Sequence, residues 1–285
     1  MATKPSVSVS IVAANYNNAS YLSEFIESVQ LSEVLPRELI IVDDGSTDHS
    51  LEELKKWNHL EYLIVIKFAQ NKGFTAALNA GIERATSKYI MRADPDDVLL
   101  PERIGTQFSF MEKNPNLDII GSNAIYFSNL SGKTINKTNF PIHHKDIYNA
   151  YRKGEHGFLH ATVMVKREIF QQYLYQEFSP GEDYELFSRM LKNGCIGRNI
   201  KKPLYKVRVH PSSSTSGIKE SDIIRTFAFR DKIFETKTNP LKIKIYYLHI
   251  SHYRRSQLAT NHDPQISTFT ICDSFISQKS LQANI

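Results

Sequence analysis

Apolar and polar positions along this 285-residue chain recur with two different periods. Val7-Ser8-Val9-Ser10-Ile11-Val12 has the alternation of a strand, whereas Leu22, Phe25, Ile26 and Val29 follow the i, i+3, i+4, i+7 spacing of a helix that Asn18 or Ser20 can cap. Leu39-Ile40-Ile41-Val42 is wholly apolar, as expected of a strand buried on both faces. A short helix is expected around Ser50 to Lys56 and a third strand over Tyr62 to Phe68. Asn71-Lys72-Gly73 then opens a helix carrying Ala77, Leu78, Ala80, Gly81 and Ile82, whose small side chains allow close packing on a sheet. Tyr89 to Arg92 is the fourth strand. Pro101 suits the first turn of a helix through Ile104, Phe108 and Met111, which Asn114-Pro115 stops. Strand and helix alternate through this first half, which predicts an α/β sheet with helices on its faces.

The second half is less regular. Asn116 to Phe127 carries a strand or two, Ser128 to Lys137 reads as a polar turn region, and Asp146 to Tyr151 as a short helix. Ala161 to Val165 predicts a strand, Asp183 to Leu191 a helix, and Leu204 to Val209 a last strand. Beyond about Ser216 the chain turns basic and aromatic, with helical spacing in Ile223 to Phe234 and Leu241 to Tyr253. The expected division is therefore a main domain over 1–215, with halves of about 1–115 and 116–215, and a mainly helical extension over 216–285.

Composition narrows the picture a little. Hydrophobic residues make up 41% of the chain, an ordinary globular value. The net charge of +5 leaves a phosphate-rich ligand, an anionic membrane surface and nucleic acid all open. Cys195 and Cys272 are far apart with no Cys-x-x-Cys spacing, which argues against a zinc knuckle or disulfide framework and fits a reducing compartment. No stretch approaches the roughly 18 to 20 apolar residues of a membrane span. The expectation is a cytoplasmic protein with surface attachment to the inner face of the cell membrane left open.

Chemistry concentrates at the strand ends. Asn15 to Asn18, Asp43-Asp44, Asn71-Lys72-Gly73 and Asp94 to Asp97 each follow an expected strand, and ligands of open parallel sheets bind at the carboxyl ends of the strands. Asp94-Pro95-Asp96-Asp97 holds three carboxylates within four residues. Because Asp94 precedes proline, extended backbone is expected there, with Asp94 and Asp96 on one face and Asp97 on the other. Such a pair suits a divalent cation that completes its shell with water and substrate phosphates. A solvated acidic turn is the plain alternative.

The segments Ser10 to Asn17, Ile41 to Asp48, Asn71-Lys72-Gly73 with Ala77 to Gly81, Asp94 to Asp97 with Pro101-Glu102-Arg103, Gly181 to Leu186 and Tyr205 to His210 together resemble, in order, the motifs of family 2 glycosyltransferases. The resemblance spans about residues 7 to 215. It implies a GT-A fold: a Rossmann-like mixed sheet flanked by helices, here with the carboxyl-terminal helical extension. It also implies inverting transfer of a sugar from a nucleotide-sugar, expected to be a UDP-sugar, to a glycan or lipid-linked acceptor in surface polysaccharide biosynthesis, with no nucleic-acid partner.

By that resemblance the Asp-x-Asp pair, Asp94 and Asp96, would hold Mn2+ or Mg2+, with His210 completing the site. Ala14, Tyr16, Asp44, Asn71, Lys72, Arg92, Asp94 and Asp97 would line the nucleotide-sugar. Asp183 would be the general base, Glu182 its reserve, and His160 would shape the acceptor side. Without the resemblance, Glu182 and Asp183 read as first-turn acids favoured by a helix dipole. The family commonly has alanine where this chain has Pro95, so a change of loop geometry is expected. His143, His144 and His156 show no interpretable ligand spacing. Lys237 to Arg255 is a basic amphipathic segment, suited either to an anionic membrane or to packing on the main domain. The rival readings are a nucleotidyltransferase, which calls for a Gly-rich basic loop where Ala14 to Asn17 stands, and a non-catalytic glycan- or nucleotide-binding relative.

Overall fold

The computed structural model describes residues 4–178, 180–210, 219–241, 243 and 244. The first half alternates as its periodicity requires: β1 (Ser6–Asn15), α1 (Ala19–Gln30), β2 (Leu35–Asp43), α2 (Ser50–Lys55), β3 (Leu63–Lys67), α3 (Phe74–Arg84) and β4 (Tyr89–Arg92). There follow β5 (Val98–Leu99), α4 (Arg103–Lys113), β6 (Ile119–Ser128), β7 (Thr134–Lys137), α5 (His144–Lys153), β8 (Met164–Lys166), α6 (Arg167–Tyr173), α7 (Glu182–Lys192), β9 (Gly197–Val209) and α8 (Glu220–Phe234).

The described strands form one sheet in the order β3-β2-β1-β4-β8-β6-β9-β5, with β7 added alongside β6. β3, β2, β1 and β4 run parallel, which brings their carboxyl ends to one edge. β8 is antiparallel to both β4 and β6, so the sheet becomes mixed there. Alternate residues of each central strand feed opposite layers. Val12 and Ala14 of β1 face α3, α6 and α7, whereas Ile11 and Ala13 face α1 and α4. Gly81 is where α3 comes closest to the sheet: a Cβ there would lie 2.5 Å from Cγ1 of Val12.

The structure adds to or departs from the expected elements at four places. Ala161 to Val165 is not one strand: His160–Thr162 is a 3-10 turn and only Met164–Lys166 joins the sheet. Thr162 Oγ1 bonds the carbonyls of Leu159 (2.8 Å) and Ser122 (3.0 Å), a local side-chain alternative to ladder pairing. The region Ser128 to Lys137 turns as expected but ends in β7, which pairs with β6. β5 is too short to carry a periodicity and exists through pairing with β9. Asp94 to Asp97 is not extended but a turn, in which the Asp97 N–H donates to the Asp94 carbonyl at 3.2 Å. Pro95 takes the second turn position, where its fixed φ suits the geometry.

The expected boundary at 216 falls outside the described residues. Beyond it, α8 packs on the main body: Ile223, Phe227 and Phe234 are buried, and Nη1 of Arg230 donates to the Lys153 carbonyl at the end of α5 (3.2 Å). Of the basic segment Lys237 to Arg255, only 237–241, 243 and 244 are described, so its membrane reading lies outside the described residues, as does Cys272. Cys195 is buried, and burial pushes its thiol up to about 11. No described helix is long and apolar enough to cross a membrane.

Candidate active site

The four strand-end loops converge as parallel strands require, and two aspartates lock them together. Asp43 accepts Asn15 Nδ2 at 2.8 Å, the Ser46 N–H at 3.0 Å and the Ser46 hydroxyl at 2.7 Å, closing the loop after β1 onto that after β2. Asp44 is 2% exposed, and its two oxygens accept the backbone N–H groups of Lys72 (2.6 Å) and Gly73 (2.9 Å). Its carboxylate thus ties the loop after β3 to β2, each oxygen keeping a second lone pair. Gly45 completes the clasp: it has φ +70°, and a Cβ would stand 2.5 Å from the Gln70 carbonyl carbon.

Around this clasp, Ala14 is buried, Tyr16 is 46% exposed and Asn71 is exposed. Lys72 directs its Nζ over the Phe68 ring, 4.6 Å from the centroid.

The acidic loop divides its carboxylates. Asp97 is buried, and its Oδ1 accepts the backbone N–H of Arg208 on β9 at 2.8 Å. Burial first, and then the Asp96 and Asp94 charges, raise the Asp97 carboxyl well above its ordinary value. Asp94 and Asp96 remain partly exposed. Asp94 Oδ1 lies 2.6 Å from Nη2 of Arg92, and its backbone N–H donates to the Tyr205 hydroxyl at 2.9 Å. Asp96 Oδ2 lies 2.9 Å from His210 Nε2, and its carbonyl accepts Arg208 Nε at 2.7 Å. Burial raises the Asp94 carboxyl, with the Arg92 charge opposing it.

Arg92 links this loop to the other side of the site. It is 2% exposed, its guanidinium stacks over Phe74 at 5.2 Å, and Nε and Nη1 have no hydrogen-bond partner among the described residues. Burial opposes its charge, but the Asp94 carboxylate more than offsets that and holds its pKa above the usual value. Phe74 in turn meets the edge of His160 at 6.1 Å, and His160 Nε2 is 2.5 Å from the Tyr175 hydroxyl. Burial and then the Arg92 charge lower His160 to about 3, so it is neutral at physiological pH.

Glu182 and Asp183 form the first turn of α7, entered through Gly181 with φ +106°. Asp183 Oδ1 accepts the Tyr184 N–H at 2.8 Å, and Oδ2 faces His156 Nε2 at 3.5 Å. Burial alone would raise this carboxyl; His156 opposes it most strongly, and the net result is a pKa well below the ordinary range. Glu182 moves the other way, raised by burial and then by the Asp183 charge. Two adjacent carboxyls pushed apart in this manner are suited to different roles.

Among the described residues no group of three or more His, Cys, Asp or Glu side chains surrounds a common metal position. Asp94 and Asp96 sit together on the turn, and His210 lies against Asp96. The donor set is two accessible carboxylates with one imidazole against one of them. It fits a hard or borderline divalent cation that takes most of its ligands from water and phosphate.

The family model for Glycosyl transferase family 2 matches residues 10–174. The chain belongs to that family. It is 30% identical over 203 residues to the amylovoran biosynthesis glycosyltransferase AmsE of Erwinia amylovora, covering 70% of this chain and 75% of AmsE. A UDP-Gal:alpha-D-GlcNAc-diphosphoundecaprenol beta-1,3-galactosyltransferase of Escherichia coli is 30% identical over 213 residues, covering 72% of this chain and 74% of the relative. Among solved structures, S. aureus TarS in complex with UDP-GlcNAc superposes with a TM-score of 0.65 at 17% identity, over 90% of this chain and 76% of that one. The chain is thus a glycosyltransferase with the GT-A fold, related to enzymes of polysaccharide biosynthesis.

Within this glycosyltransferase, His156 and Tyr175 carry no marking in the sequence, and Tyr205 enters only as the first residue of the Tyr205 to His210 segment. Neither tyrosine lies at a spacing that marks it. Tyr205 reaches Asp94 across 111 residues of sequence and Tyr175 reaches His160 across 15, so only the packing of β9 and of the loop after α6 reveals them.

Proposed function

We propose that this enzyme transfers a sugar from a UDP-sugar, with inversion at the anomeric carbon, to a glycan or lipid-linked acceptor. The observation that carries the reading is the pairing of a partly exposed Asp94-Asp96 loop at the strand edge with the Asp183 carboxyl, held between the Tyr184 N–H and His156 at the start of α7. One pair of carboxylates addresses the diphosphate end of a donor; the other addresses an acceptor hydroxyl.

Asp94 and Asp96 would hold Mn2+ or Mg2+, which supplies Lewis-acid neutralisation of the charge that develops on the leaving diphosphate. Tyr16, Ala14 and Asn71 would border the base, and the unused lone pairs of Asp44 would accept an N–H from it. Lys72 is close enough to this edge to swing from Phe68 toward phosphate. Arg92 brings a buried cation with two unpartnered nitrogens beside the reacting centre, which suits a hydroxyl or phosphate oxygen of the donor. Asp97 orients the loop through Arg208.

On the acceptor side, Asp183 takes the proton of the attacking hydroxyl. The new oxygen–carbon bond forms as the anomeric carbon–phosphate oxygen bond breaks, and the nucleoside diphosphate leaves with that electron pair. A strongly depressed carboxyl is a weak base in the ground state, so the proton is transferred only as the hydroxyl acidifies during attack. His160, neutral and held by Tyr175, shapes the acceptor cleft, and Glu182 is the reserve base. Membrane contact near the lipid-linked acceptor would come from the basic segment after 237.

The test is turnover of UDP-sugars with Mn2+, read as released UDP. Asp96→Ala is expected to lose metal-dependent transfer and donor hydrolysis; wild-type-like turnover in that variant rejects the assignment. Asp183→Asn is expected to keep donor binding and lose transfer.

A further inference from the structure

We propose that His156 is a positioning residue for Asp183, holding its Oδ2 at the acceptor edge while the helix N–H of Tyr184 holds Oδ1. The proposal rests on the reading of Asp183 as the base.

The backbone on both sides of His156 is fixed. Gly154 ends α5 with φ +92°, and the Glu155 N–H donates to the Ala150 carbonyl at 2.9 Å. Gly157 follows, where a Cβ would stand 2.8 Å from Cγ2 of Ile147, and its carbonyl accepts Asn199 Nδ2 at 2.7 Å. The imidazole packs edge-on against Tyr184 at 5.4 Å and lies 6.3 Å from Tyr151. Both tyrosines are fully buried, and the Tyr184 hydroxyl donates to the Tyr151 carbonyl. A side chain merely solvated at the surface has no such seat. His156 is 41% exposed, so its outer face meets water while Nε2 meets the carboxylate.

The other groups facing Asp183 do not replace it. His160 is held neutral, and the Tyr151 and Tyr175 phenols are pushed up by burial and stay uncharged. Glu182 repels Asp183, and Arg92 acts favourably on Glu182. From α8, Arg225 donates to the Pro180 carbonyl at 3.0 Å, ahead of the helix start. His156 is therefore the contact that most directly keeps this enclosed carboxylate ionised, and it orients the lone pair left for the acceptor proton.

The experiment follows the 13C signal of the Asp183 carboxyl with pH in the full chain, the signal being assigned by its loss in Asp183→Asn. In the wild type it titrates below the ordinary aspartate range. In His156→Gln the midpoint is expected to rise by about one pH unit or more, since an opposite charge at this distance shifts a carboxyl by that order. His156→Asn serves if the glutamine variant unfolds. An unmoved midpoint in a folded variant overturns the proposal. Released UDP from a turned-over UDP-sugar is the second readout. His156→Gln should lower kcat at least tenfold with little change in donor KM and move the acid limb of the rate profile upward. A loss of kcat with the acid limb unmoved would mark a structural role and overturn the proposal. Failure of the base reading looks different: Asp183→Asn would keep transfer, while the carboxyl midpoint of the otherwise wild-type chain still rose in His156→Gln.

Discussion

Oδ1 of Asp97 accepts the backbone N–H of Arg208 at 2.8 Å, joining the acidic loop after β4 to β9. The Arg208 side chain reinforces the join by donating to the Asp96 carbonyl (2.7 Å), Asn129 Oδ1 (3.0 Å) and Glu24 Oε2 (2.6 Å). Removing the acceptor leaves a buried N–H unpaired, a loss of about 1–3 kcal/mol. Asp97→Ala is thus expected to lose that much stability in urea unfolding, and Asp97→Asn, which retains an acceptor oxygen, less than half of it. Equal losses would show that charge, not the hydrogen bond, holds the loop.

Gly81 makes a counter-intuitive prediction. Alanine is favoured over glycine within a helix by about 1 kcal/mol. Here the added methyl meets Val12 Cγ1 at 2.5 Å, in a β-branched side chain of the central strand that has little freedom to turn. Gly81→Ala should therefore destabilise by about 1–3 kcal/mol, as overpacking does. A rise in thermal midpoint would show that α3 can retreat from the sheet without loss.

Glu38 supplies a pH dependence away from the site. Its carboxylate is buried on β2 and accepts from the Ser10 hydroxyl, the Thr86 N–H (2.9 Å) and the Thr86 hydroxyl (2.7 Å). Burial raises its pKa, but these bonds outweigh burial and the net shift is downward. A carboxyl whose folded pKa lies below its unfolded value adds stability above the unfolded pKa and loses it as pH falls through the folded one. Glu38→Gln should accordingly be less stable than the wild type at pH 7, with the gap closing in acid. A gap independent of pH would assign the effect to geometry alone.

Metal removal separates the two carboxylates of the turn. Chelation by EDTA is expected to abolish UDP release, and Mn2+ to restore it. Asp96→Asn should weaken Mn2+ activation more than Asp94→Asn, because Asp94 already shares its charge with Arg92 at 2.6 Å. Apparent Mn2+ affinity from activation curves is the measurement; the reverse order would exchange their roles.

Much of this was legible from local pattern. Periodicity marked β1 and α1, and short apolar runs bounded by polar loops marked β2, β3 and β4. The parallel arrangement then made the convergence of Asn15, Asp44, Asn71 and Asp94 a necessity of topology. β5 and the 3-10 turn at His160 were not legible, since they exist through distant partners: β9 for the one, and Ser122 for the Thr162 hydroxyl.

The Asp94-Pro95-Asp96-Asp97 turn shows where the division falls. Its residue types and its place after a strand were set by the chain itself, and with them the chemistry of a carboxylate pair able to hold a divalent cation. Which carboxylates stay accessible was decided only when β9 brought the Arg208 N–H to Asp97, the Tyr205 hydroxyl to the Asp94 backbone and His210 to Asp96. The same holds for His156, an uninterpretable histidine by spacing that lies 3.5 Å from Asp183 once α5 and α7 pack together. Hydrogen bonding and charge act over a few ångströms of space, and partners so close in space can lie more than a hundred residues apart in sequence.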